Sequence, residues 1–103
     1  AAKEVLELQA ADVFDKAILL CSLLKSLDAQ ARILVLELEN NLIHPVVVFQ
    51  YSGRDYLLDA SQPDNALTTF SGALDEVLQA FSYDNAKYLK KAYEFDNENY
   101  KEF

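Results

Sequence analysis

The chain has 103 residues, of which 51% are hydrophobic, and its 17 acids outnumber nine bases to give a net charge of −8. That length suits a single domain, 1–103, with a real but modest core, and six Tyr with six Phe exclude a disordered chain. The acidic balance argues against nucleic-acid binding, which depends on cationic contacts to phosphate, and against docking on an anionic membrane.

Residues Ala2 to Ala10 have a helix-forming composition, with Lys3, Glu4, Leu6, Glu7 and Leu8. The chain thus opens inside a helix, and residues are expected in front of Ala1. A loop through Ala10 and Ala11 is expected next, entering a second, long helix. Asp12 would be its N-cap, with Asp15 in the first turn, where the macrodipole favours negative charge. Val13, Ala17, Leu20, Leu24 and Leu27 recur at helical steps, and Phe14, Ile18, Cys21 and Leu23 widen the stripe. Most of this helix is therefore expected to be covered by protein. It should end near Asp28-Ala29-Gln30.

Strands follow. Arg32 to Leu38 alternates toward its end, and Asn40-Asn41 makes a turn. Pro45 to Tyr51 is rich in valine and aromatics, and Asp55 to Asp59 closes a hairpin through Tyr51-Ser52-Gly53-Arg54. Pro45 cannot donate a ladder bond, which points to a strand start or an edge. Antiparallel pairing of these segments against the helix predicts an α+β fold, a buried central helix packed on an antiparallel β-sheet. Farther on, a short helix is expected from near Ser71-Gly72, with Leu74, Val77, Leu78 and Phe81 on one face. Asp84 would cap a second short helix running through Lys91. From Tyr93 to Phe103, aromatic and polar residues alternate around an Asp-Asn turn, which predicts a terminal hairpin.

The candidate site lies on the central hairpin. His44 begins one strand and Asp59 ends the next, so a hairpin of this length brings them together. A carboxylate beside a histidine fixes its tautomer and stabilises its cation, as thiol or serine chemistry requires. One His and one Cys cannot make a zinc site of the usual N/S type, and no cofactor is expected. Cys21 reads as a small core residue. A lone cysteine excludes an intrachain disulfide and fits a reducing compartment, so a cytoplasmic location is expected. No apolar run reaches the ~20 residues of a membrane span, and no basic-then-apolar leader opens the chain.

Several spaced blocks resemble the transglutaminase-like domains of the papain-like cysteine-peptidase superfamily. Their motif runs Gly-Asp-Cys-x-Asp-Lys-Ala, then an apolar helix, an Ala-Arg strand, a His-Ala-Trp strand and a Leu-Asp-Pro ending. Asp12, Asp15, Lys16, Ala17, Ala31, Arg32, His44, Gly53, Leu58 and Asp59 fall at matching positions, from about residue 10 to about residue 63. The resemblance implies a transglutaminase-like or papain-like core with a Cys-His-Asp triad. In this chain the nucleophile position is Val13, whose isopropyl group cannot attack a carbonyl, so His44 and Asp59 would form a vestigial dyad. Val46 and Tyr56 stand where relatives carry tryptophan.

Two functions follow as expectations. One is a catalytically silent module that keeps the fold and binds a protein or peptide. The other is a nucleophile-substituted form of a cysteine-dependent amidohydrolase, peptidase or acyl transferase. A purely architectural domain is the third, blander possibility.

Overall fold

A continuous helix of 25 residues, α1 (Ala2–Ser26), opens the computed structural model. The structure describes residues 2–62 and 66–103, with side chains over 12–62 and 67–103, so the end of the family-like segment at Pro63 lies outside the described residues. The expected break and N-cap at Asp12 are absent. No Pro or Gly interrupts residues 2–11, and once a helix is nucleated, good helix formers propagate it. Asp12 pairs instead with Lys16, one turn on, at 3.3 Å.

The helix ends as its sequence suggests. Asp28 takes the left-handed conformation (φ 65°), and the amide of Ala29 reaches back to the Leu24 carbonyl at 3.0 Å. This satisfies a carbonyl at the helix end that would otherwise lack a partner, at a position that suits glycine better than aspartate.

Seven strands form one antiparallel sheet against this helix. In chain order they are β1 (Gln30–Leu38), β2 (Ile43–Tyr51), β3 (Arg54–Asp59), β4 (Ala66–Phe70), β5 (Ser82–Tyr83), β6 (Ala86–Phe95) and β7 (Tyr100–Glu102). A six-residue helix, α2 (Leu74–Gln79), lies between β4 and β5. The spatial order is β4-β3-β2-β1-β6-β5, with β7 also on β6. A single 3-10 turn, Glu39–Asn41, joins β1 to β2 with Asn40 and Asn41 at positive φ.

Both faces of the sheet are buried. On one, Ala17 and Cys21 of α1 pack with Ala31, Ile33, Val35, Val47, Phe49 and Leu58. On the other, Leu78 of α2 packs with Leu34, Leu36, Leu38, Val46, Val48 and Leu57. Successive residues of a strand point to opposite faces, so parity sorts the strand side chains between the two layers.

Two expectations change. The long helix is not largely covered: of its described side chains only Ala17 and Cys21 are buried, and Ile18, Leu19 and Leu23 are exposed, because α1 lies on one face of the sheet with no further layer of described residues over it. The segment after Asp84 is the long strand β6 rather than a helix. Asp84 and Asn85 both adopt positive φ (53° and 64°) and sit between the paired residues Tyr83 and Ala86. They form a two-residue hairpin turn of the primed type, so Asp84 turns a hairpin and caps nothing. Strand β4 was not anticipated at all. The terminal hairpin is present, as β6 and β7 around Asp96–Asn99.

Asp28→Gly removes the Cβ from a left-handed position and is expected to raise stability by about 0.5–1 kcal/mol, read from urea unfolding midpoints.

Candidate functional site

β2 and β3 pair with Val47 opposite Leu58 and Val48 opposite Leu57, and β1 and β2 pair without a shift from Gln30–Gln50 to Glu37–Ile43. His44 therefore shares a face with Val46 and Val48, and Asp59 shares it with Leu57. That face is the one covered by α2.

The two side chains meet there. His44 Nε2 lies 2.9 Å from Asp59 Oδ1, and each residue is only 3% exposed. Ser61 completes the cluster. Its amide donates to Asp59 Oδ1 at 3.0 Å, its hydroxyl donates to the same oxygen at 2.6 Å, and that hydroxyl lies 3.3 Å from His44 Nε2. Gln62 Nε2 donates to Asp59 Oδ2 at 3.3 Å. The bond from a backbone amide two residues on is an Asx turn, which ends β3. The imidazole stacks on Tyr83, with ring centres 4.1 Å apart, and Phe81 lies at 5.8 Å.

The electrostatics follow from this packing. Burial by itself pushes the Asp59 carboxyl up, but the hydrogen bonds from His44 and Ser61 and the charge of His44 outweigh it. The net result holds Asp59 below the ordinary carboxylate value. Asp59 is therefore ionised at neutral pH, and the His44 nitrogen facing it must carry a proton to donate.

That proton limits the chemistry. A hydrolytic triad uses both ring nitrogens, one oriented by the acid and the other taking the nucleophile's proton. Here Asp59 and Ser61 meet the same nitrogen, and the Ser61 hydroxyl already gives its proton to Asp59. Ser61 is therefore no nucleophile for this histidine, and the cluster is a hydrogen-bonded clasp through Nε2 between the start of β2 and the end of β3, with Nδ1 outside it.

Of the three residues at the family-like site, the fold brings together His44 and Asp59. Val13 belongs to α1, whose neighbouring Phe14 and Ala17 pack on the opposite face of the sheet. Cys21 also lies on that face, buried, and its thiol is pushed up chiefly by burial. Arg32, from the Ala-Arg block, pairs with Glu94 at 2.6 Å. Among the described residues, no three His, Cys, Asp or Glu side chains converge to hold a metal ion, and no helix is long and apolar enough to cross a membrane. Ser61, Gln62, Phe81 and Tyr83 were missed from sequence. The Asp-x-Ser spacing at the end of a strand was the one available signal, since it is the spacing of an Asx turn. No family model, curated protein or solved structure matches the chain.

The depressed Asp59 carboxyl sets a pH dependence of stability. A group whose folded pKa lies below its unfolded value stabilises the fold fully above the unfolded value, near 3.8 here, and loses that contribution as pH falls through the folded value. Asp59→Asn is expected to lower stability at pH 7 and to flatten the acid limb below about pH 4. His44→Ala, which leaves Asp59 held only by Ser61 and Gln62, is expected to cost about 1–3 kcal/mol at pH 7. Urea unfolding at stepped pH reads both effects.

Proposed function

We propose that the chain is a non-catalytic, transglutaminase-like domain that binds a protein or peptide, with His44 and Asp59 kept as a structural clasp. One observation carries this reading. The only histidine of the chain holds Asp59 and Ser61 through Nε2 on the α2 face, while position 13 belongs to the helix packed on the other face, so no nucleophile from that position stands beside Nδ1. The enzyme alternative requires the residue at position 13 to stand beside His44, and α1 packs on the other face of the sheet. The same separation leaves the family part of the proposal resting on the order of its motifs and on an α-helix packed against an antiparallel sheet.

A restored thiol tests the proposal. Val13→Cys in a Cys21→Ala background is expected to be alkylated by iodoacetamide at neutral pH at the rate of an ordinary thiol with a pKa near ~8.5. A rate tens of times faster, with a pH midpoint well below that value, would mean that His44 reaches position 13, and the enzyme reading would stand.

A further inference from the structure

The two edges of the sheet differ. At one, β5 and β7 cover different parts of β6, and Lys87, Lys90, Lys91, Lys101 and Glu102 put charge along these strands. At the other, β4 pairs only with β3 among the described residues, and its sequence Ala-Leu-Thr-Thr-Phe holds no charge and no proline. Edge strands are usually blunted by lysine, proline, a bulge or a cover, because their free N–H and C=O groups template another strand. β4 runs in unbroken register with β3, from Asp55–Phe70 to Asp59–Ala66.

Each face beside this edge offers a place for side chains. On the α2 side, a cleft of about 440 Å³ lies between the sheet and α2, lined by Leu57, Thr68, Val77 and Phe81 with Asp59 and Gln62 at its polar end. On the α1 side, Leu67 is 56% exposed beside Leu58, its register partner. Leu67 thus forms a small apolar shelf on that face.

We propose that β4 docks an extended segment of another protein as a further antiparallel strand. The segment carries apolar residues at alternate positions and basic residues at its flanks. Free main-chain groups select an extended backbone, and the cleft on the α2 side selects apolar side chains at every second position. A net charge of −8 selects basic flanks. The same facts disfavour a second copy of this chain. Two copies would bring like charges together. This inference rests on the binding-module reading and names its surface.

The probe is a labelled peptide, Lys-Lys-Val-Thr-Val-Thr-Val-Lys-Lys, titrated with the full chain and followed by fluorescence anisotropy. Saturable binding is expected, weakened about tenfold or more when alternate peptide amides are N-methylated on the edge that meets β4, since each lost backbone hydrogen bond costs about 0.5–1.5 kcal/mol. Glutamate in place of the flanking lysines is expected to weaken binding, and more so at low salt. Leu67→Lys is expected to weaken it as well, with the circular dichroism spectrum unchanged. If that variant does not fold, the N-methylated peptide still decides. Absence of saturable binding, equal binding of the N-methylated peptide, or a dimer in sedimentation that Leu67→Lys abolishes would overturn the inference. Fast alkylation of Val13→Cys would remove the non-catalytic reading while leaving this titration unaffected, so the two failures are distinguishable.

Discussion

The parity of the strands is the constraint on which the rest of this molecule depends. A strand exposes alternate residues to opposite faces, and both faces of this sheet are covered, one by α1 and one by α2. Once β1 commits Ile33 and Val35 to α1, Leu34 and Leu36 must serve the other layer. The unshifted register with β2 then commits Val47 to α1 and His44, Val46 and Val48 to α2. The orientation of His44 is thus fixed by residues that have no chemistry of their own. A histidine at an odd position of β2 would look toward α1; at position 44 it looks away.

Burial on two faces also explains which parts of the fold were legible. The hairpin of β2 and β3 could be read because Ser52-Gly53 is a strong turn signal, and both residues do adopt positive φ. The helix could be read because its apolar residues follow the helical period. The weak alternation of Arg32 to Leu38 is what a strand packed on both sides produces, since neither face selects polar residues. β4 stayed hidden for a different reason. Ala-Leu-Thr-Thr-Phe is a short run without a turn signal of its own, and what makes it a strand is the ladder offered by β3. Asp84 misled because aspartate serves both N-caps and left-handed turns, and the choice depends on whether the next segment has a partner strand. β1 supplies that partner to β6.

The site was legible in one dimension and opaque in the other. Hairpin arithmetic correctly set His44 beside Asp59, because sequence separation fixes register. It carried no information on the third dimension, the side of the sheet to which the pair points relative to α1. Motif order has the same limit. It preserves spacing along the chain, and a family-like order of Asp12, His44 and Asp59 says nothing of faces. The neighbours that close the cluster come from distant or turn positions. Tyr83 arrives on the β5–β6 hairpin, and Ser61 arrives through the turn that ends β3.

A buried carboxylate with its hydrogen-bond donors is a weak source of net stability, since taking the charge out of water offsets most of what its bonds contribute. The clasp therefore has to be understood through specificity. β2 reads Pro-Val-Val-Val-Phe and β3 ends Tyr-Leu-Leu, runs in which a slip by one residue would exchange one aliphatic side chain for another at little cost in burial. The slip is costly only where the run holds a polar residue. Moved by one place, His44 would turn toward α1 and bury its imidazole among aliphatic side chains, leaving Asp59 held only by Ser61 and Gln62. The imidazole and the acid thus act as a register pin for two otherwise featureless strands, and Ser61 locks the acid in place through the turn. The same residue types that would serve catalysis beside a nucleophile serve strand register here, because the nearest hydroxyl, that of Ser61, donates to the acid and position 13 lies across the sheet.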